Sequence, residues 1–322
     1  MYCAVTCDHW SSIAKVSYLA ATVNFIDENW ELVSFTLSCN QHSGASKAPD
    51  VLRELRKASE AFGITPDHLI AVVSDTAPVM ASFGRSLFEE YGVSHFYCTA
   101  HVLELTTGMA FNIEGAFCCM KSARALVGHF NSSSRATSDL LNIQDRANPL
   151  TIVHDVATRW WSTFSMINRL LDLKDSFGSL VRRDLLSQKA NLTDNQWDAP
   201  YDIKALLEPF MIVQKVLEGQ KYPTASLVPY LIKKVGDGLE KVASHNRLPG
   251  IRDLAAKMLN DGTFGFNTYW RSGAPRTVFD EHSTIGNRNR AKGCPVPTLI
   301  AAALGPRLKH LPFLDEVDKA KV

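Results

Sequence analysis

The sequence predicts an α/β chain, with a mixed sheet and its covering helices over residues 1–98 and an all-helical region over 99–322. Three observations predict it. Apolar side chains recur with period two between residues 2 and 39, the mark of half-buried strands. The period switches to a helical one at 49–62. After residue 98 the strand signals fade and helical spacing takes over.

In chain order, the first run is Tyr2-Cys3-Ala4-Val5-Thr6-Cys7, which delivers Asp8. In the second strand Leu19, Ala21, Val23 and Phe25 alternate with Tyr18, Ala20, Thr22 and Asn24. Ile26-Asp27-Glu28-Asn29-Trp30 supplies a polar turn. In the third strand Val33, Phe35 and Leu37 alternate with Ser34 and Thr36. Pro49 suits a first helical turn, and Val51, Leu55, Ala58 and Phe62 share one helical face. Gly63 suits the end of that helix. Residues 69–73 are continuously apolar, as a strand covered on both faces requires. They lead through Ser74 to Asp75. Residues 78–90 read as a helix and 95–98 as a short strand, which gives βββαβαβ. That order implies a mixed sheet with helices against it. Beyond it, Ala116, Met120, Ala123, Val127 and Phe130 have helical spacing, as do Trp160, Phe164, Ile167 and Leu171. Residues 203–218 and 225–242 also read as helices, while 244–249 and 271–297 read as loops.

Asp8 and Asp75 each sit at the end of an apolar run. Such an Asp either starts a turn or, when two strand tips are neighbours, shares a divalent metal. Mg²⁺ takes hard oxygen ligands, with one or two protein carboxylates beside substrate phosphates. A pair of such metals clamps the two oxygens of a phosphoryl displacement. Cys98-x-x-His101 is half of a zinc pattern, but a structural zinc wants four ligands and no second pair follows.

The composition is that of a globular protein, 46% hydrophobic and 21% charged, long enough for two domains. Lys plus Arg is 34 and Asp plus Glu is 33, so any nucleic-acid surface is a local patch rather than a global field. Seven cysteines without a secretory leader lead us to expect reduced thiols, in nucleus or cytoplasm. No run of 18 apolar residues is present, so no membrane partner is expected.

Five motifs recur in a telling order. They are Thr6-x-Asp8-x-Trp10-x-Ser12 with Tyr18 and Asn24 to Leu37 after it, Asp75-Thr76-Ala77-Pro78-Val79-Met80, Cys98-Thr99-Ala100-His101-Val102-Leu103-Glu104-Leu105, Thr158-Arg159-Trp160-Trp161-Ser162-Thr163, and Leu304 to Leu314. In this order they resemble the hAT superfamily of DNA transposases and the host proteins derived from them, including those with BED-type zinc fingers. The resemblance implies a ribonuclease-H-like core, truncated, at 1–98 and the family's helical insertion at 99–322. It makes Asp8 and Asp75 the first two members of an acidic triad, binding Mg²⁺ or Mn²⁺ if the ancestral activity survives. The third member would be a Glu beyond the insertion, and Glu316 does not match its context. The resemblance also makes His101 a phosphate-proximal residue. It makes Trp160 a ring that stacks on an extruded nucleotide, with Arg159 forking onto phosphate. The alternative for Trp160 is helix packing, and Trp161 blurs which ring would stack.

Some positions depart from the family pattern. Thr76 and Val79 stand where Asn is usual, Gly305 where Asp is usual, and Glu104 replaces the Asn of a Leu-Asn-Leu pattern. An acid near a phosphate path repels DNA. The expectation is therefore a nuclear or cytoplasmic transposase-derived protein without catalytic activity. It would need no cofactor of its own and would bind DNA, or a protein through an incompletely covered sheet. An active metal-dependent transposase represented by an incomplete chain and a protein-interaction scaffold are the alternatives.

Overall fold

The computed structural model describes residues 2–42, 47–111, 114–156, 160–219, 221–245, 249–260, 266, 270, 294, 296–305, 307–314 and 316–320. Five strands form one mixed sheet: β1 (Cys3–Ser11), β2 (Ser17–Ile26), β3 (Leu32–His42), β4 (Leu69–Ser74) and β5 (Ser94–Tyr97). Their spatial order is β3-β2-β1-β4-β5. The first three pair antiparallel through short turns, while β4 runs parallel to β1 and to β5. Helix α1 (Ala48–Glu60) joins β3 to β4, and α2 (Pro78–Tyr91) joins β4 to β5. This is the predicted βββαβαβ order and the predicted α/β class.

β1 is longer than its apolar run suggests. It continues through Asp8 to Ser11 because β2 stays paired with it as far as Ser11↔Ser17, after β4 has ended at Cys7↔Ser74. The polar Asp8, His9 and Ser11 hide this extension, which backbone pairing and the stacking of Trp10 on Tyr18 support. Helix α1 spans nearly the predicted residues, with Pro49 in its first turn. Gly63, just past its end, has φ of 70°, a left-handed conformation that costs a residue with a Cβ about 1–2 kcal/mol.

One face of the sheet is the core. Val5, Val23 and Val72 from the strands meet Val51 and Leu55 of α1 and Phe83 of α2, all buried. The opposite face carries Tyr2, Thr6, Asn24 and Ile70, which line an open cleft of about 930 Å³ with Leu217 and Tyr222 of a later segment. Tyr2 and Ile70 are largely exposed there. That face is thus only partly covered.

The chain divides into two compact units. The sheet unit takes in Met1–Val102, Val216–Pro229 and the described residues of Gly273–Val322; the other comprises Leu103–Lys215 and Tyr230–Ser272. The sheet unit therefore also draws on segments beyond residue 98. Within it, the 3₁₀ turn Ala225–Leu227 packs on a late helix, Val296–Leu304. That helix begins inside the stretch read as a loop; residues 271–293 of the loop lie outside the described residues.

The second unit is helical, as predicted. Helix α3 (Thr99–Phe111) leads into it, followed by α4 (Glu114–Asn131), α5 (Ser134–Ile143), α6 (Trp160–Asp172), α7 (Lys174–Arg182), α8 (Asp194–Leu217), α9 (Val228–His245) and α10 (Pro249–Asn260). Helix α4 packs on α5 and α10, and α7 packs on α5 and α6. Aromatic rings knit its core, with Phe177 against both Phe130 and Trp197. Ser133 caps α5 by accepting the Ala136 N–H at 3.2 Å. Among the described residues no helix is long and apolar enough to cross a membrane.

The two faces of the sheet give a direct test. Leu55→Ala, in the core, is expected to lower stability by about 2–5 kcal/mol. Ile70→Ala, 53% exposed on the other face, is expected to change it by no more than about 0.5 kcal/mol. Urea unfolding of the two variants checks the contrast.

Candidate metal and nucleic-acid site

The register of β1 against β4 builds this site. Cys7 and Ser74 are the last parallel pair, so Asp8 and Asp75 are the next residue on adjacent strands, which lie about 4.8 Å apart. Alternation turns Cys7 into the core and Asp8 out of it. Asp8 is exposed and Asp75 half-buried. The chain turns sharply after Asp75. Its Oδ1 accepts the Ala77 N–H at 2.9 Å, and Pro78 starts α2 immediately after. The Asp therefore also does what a turn-starting Asp does.

The third strand end arrives beside them. Cys98, just past β5, donates its N–H to the Ser74 carbonyl at 2.6 Å. Its own carbonyl accepts the Val102 N–H at 3.0 Å, closing the first turn of α3. Burial pushes the Cys98 thiol above its ordinary value, hydrogen bonds from the His101 and Ala100 backbone oppose the shift, and the charges of Asp8 and Asp75 add to it. Both carboxylates thus act on one sulfur, where β4 and β5 end and β1 carries Asp8 onward. A thiol held protonated is a poor zinc ligand, because the thiolate is what binds metal. His101 sits half-buried in the first turn of α3. Among the described residues no group of three or more His, Cys, Asp and Glu side chains has a metal-binding arrangement. The two carboxylates fit the hard-oxygen, partly solvated habit of Mg²⁺ or Mn²⁺, which leaves positions for phosphate oxygens and water.

Trp10 belongs to the Thr6 to Ser12 motif and lies outside the expected site residues. It lies two residues beyond Asp8, so it shares that face of the sheet, and it stacks on Tyr18 across the strand pair at 5.6 Å.

The predicted stacking ring has a different place. Trp160 is only 4% exposed and packs edge-on against Phe210 at 6.1 Å. Its indole N–H has no hydrogen-bond partner among the described residues. The helical spacing of Trp160, Phe164 and Ile167 turns the ring inward, so the packing alternative describes it and stacking on a nucleotide does not. Trp161 is the outward ring of the pair, 39% exposed. Arg159 lies outside the described residues.

Residues 6–98 match the family model of the ZBED1 RNase-like domain, and residues 96–206 match that of the ZBED1 RNase-like helical domain. The chain belongs to the hAT-transposase-derived proteins. A Zea mays protein described as an AC transposase is 24% identical over 288 residues, covering 83% of this chain and 34% of its own. Another from Zea mays, described as an AC9 transposase, is 25% identical over 310 residues, 83% of this chain and 36% of its own. The Talaromyces stipitatus protein described as the transcriptional regulator tpeD is 22% identical over 283 residues, 75% and 33% of the two chains. The chain spans about a third of the length of these curated relatives.

In this hAT-derived chain the segment before Trp160 is fastened by contacts that no local motif announces. Asp155 is 3% exposed, and its Oδ2 accepts Arg124 Nε at 3.0 Å, Arg124 Nη2 at 2.7 Å and the Thr163 hydroxyl at 3.1 Å. Ser162 Oγ accepts the Val156 N–H and donates to the Val156 carbonyl. Gln144 brackets Leu150 in the same way, through both of its amide atoms. Arg124 stands 31 residues before Asp155, which is why sequence spacing gave no sign of the pair.

Burial alone would raise the Asp155 carboxyl, but the hydrogen bonds and charge of Arg124 and the Thr163 hydroxyl outweigh it and hold it below its ordinary value. A carboxyl depressed in the folded state contributes stability that is complete above its unfolded pKa, about 3.9. That stability is lost as pH falls through the lower, folded value. Asp155→Asn is therefore expected to cost about 2–3 kcal/mol at pH 7. The gap to the parent should narrow as pH drops below about 4. Urea midpoints measured between pH 7 and pH 3 check both the sign and the window.

Proposed function

We propose that this chain is the nucleic-acid-binding portion of a hAT-derived protein that holds a divalent metal at Asp8 and Asp75 and does not by itself cut DNA. One observation carries the reading. Asp8 and Asp75 each directly follow the last pairing of β1 with β4, Cys7↔Ser74, with no group of three or more ligating side chains in a metal-binding arrangement among the described residues. When bound, Mg²⁺ or Mn²⁺ would supply positive charge for phosphate oxygens. The rest falls to the chain. Asp8 faces solvent and meets the ligand. Asp75 is oriented by the Ala77 N–H. His101, in the first turn of α3, would donate to a phosphate oxygen near a helix N-terminus, where backbone N–H groups favour anions. Strand cleavage needs ångström-level positioning of attacking and leaving oxygens, and two carboxylates alone leave that constellation short of one anchor.

Glu104 lies one turn beyond His101 and adds negative charge, which weakens DNA binding without abolishing it. A relative described as a transcriptional regulator supports a regulatory rather than a strand-cutting role for this chain. Work on DNA implies a nuclear location.

Mn²⁺ titration followed by electron paramagnetic resonance is expected to show a site weakened about tenfold or more in Asp8→Asn and in Asp75→Asn, a loss as large as those from disturbing a metal's outer shell. DNA affinity should fall steeply as salt rises, since phosphate contacts release counterions. Plasmid and oligonucleotide substrates should remain intact with Mg²⁺ or Mn²⁺. Cleavage that disappears in Asp8→Ala would overturn the non-cutting part of the reading.

A further inference from the structure

We propose that His95 is a positioning residue for the Asp75 carboxylate, acting through the Ser74 hydroxyl, and that Gly84 is the gap that admits it. This deepens the proposed function and rests on Asp75 being a metal ligand.

The chain of contacts runs across three elements. Ser74 ends β4 and is 2% exposed. Its hydroxyl donates to the Asp75 carbonyl at 2.9 Å. A hydroxyl carries one proton, so the same oxygen accepts from His95 Nε2, also at 2.9 Å. The ring must then carry its proton on Nε2. Behind the ring is α2. A Cβ at residue 84 would stand 2.3 Å from His95 Nδ1 and 2.5 Å from its Cγ, so only glycine leaves room. Phe83 and Tyr97 meet the ring edge-on, with centroids at 5.8 and 5.5 Å. The imidazole is therefore held from several sides before it touches Ser74.

The consequence falls on Asp75. Its carbonyl is held by Ser74, and its carboxylate is held by the Ala77 N–H. Residue 75 is the point where the chain leaves the sheet, one residue past the last pairing of β4 with either neighbour. Without the first contact its backbone could rotate about the strand end and carry the carboxylate away from Asp8. Groups that orient a metal ligand in this way typically change metal affinity by 10–100-fold.

The test uses the whole chain. Nitrogen NMR of His95 is expected to show the proton on Nε2; a neutral ring protonated only at Nδ1 would overturn the proposal. Amide exchange at Ala77 reads the Asp75 turn without metal. It should quicken in His95→Phe, which keeps a ring but loses the donor, and stay near the parent rate in His95→Gln, whose amide N–H can reach Ser74. In Mn²⁺ titrations His95→Phe and Gly84→Ala should lose about tenfold or more in affinity, and His95→Gln less than about threefold. Equal losses in the Phe and Gln variants would mean that the ring only fills space, and would overturn the donor role. Should His95→Phe not fold, Ser74→Ala removes the same link and is judged by the same readouts. If the parent binds Mn²⁺ no better than Asp75→Asn, the metal reading falls. Tautomer and Ala77 exchange then still decide whether His95 positions Asp75.

Discussion

The pairing of β1 with β4 is the contact on which the rest of the sheet unit depends. Val5 and Val72 lie opposite each other and are fully buried. Parallel neighbours cannot be joined by a tight turn, so β2, β3 and α1 intervene before β4 returns beside β1. That detour costs loop-closure entropy, which grows only slowly with length. Burial of both valines against Val51, Leu55 and Phe83 offsets it. Once this register is set, β5 follows by a short helical crossover, and β4 and β5 end where β1 carries Asp8.

Two acids at that edge create an electrostatic problem as well as a site. Neighbouring carboxylates repel, and the repulsion grows as water is removed. Asp8 is exposed, which keeps its charge well screened. Asp75 is half-buried but sits at the start of α2, where its carboxylate accepts a backbone N–H and the helix end carries partial positive charge. Cys98, half-buried beside both, responds by holding its proton. The corner is thus arranged to keep two negative groups close together with no side-chain cation among the contacts described at it.

The helical unit solves a different problem. Between α5 and α6 the chain runs from 144 to 156 without regular structure. Its backbone groups need partners wherever they are buried. Gln144 and Ser162 each bond both the N–H and the carbonyl of one residue, Leu150 and Val156. Arg169 donates to the Thr151 carbonyl, and Asp155 closes on Arg124. A length of chain that lacks helix or ladder bonds is fixed instead by its own Gln144 and by side chains from α4 and α6.

The sequence by itself determined the kinds of element and their order. Period-two alternation in Leu19 to Phe25 and helical spacing in Val51 to Ala58 are local, because each reflects which side of one element faces away from water. The same local signal marked Asp8 and Asp75 as strand-end acids. What it could not determine is register. Only the tertiary structure sets Cys7 opposite Ser74, extends β1 past Asp8 to Ser11, and brings Cys98 to the same edge. It also decided between the two tryptophans. Trp160 and Trp161 are alike in type, and their exposure depends on which face of α6 meets Phe210. Arg124 with Asp155, and His95 with Ser74, lie beyond any spacing rule. Their partners are distant in the chain, and only the packed core makes them neighbours.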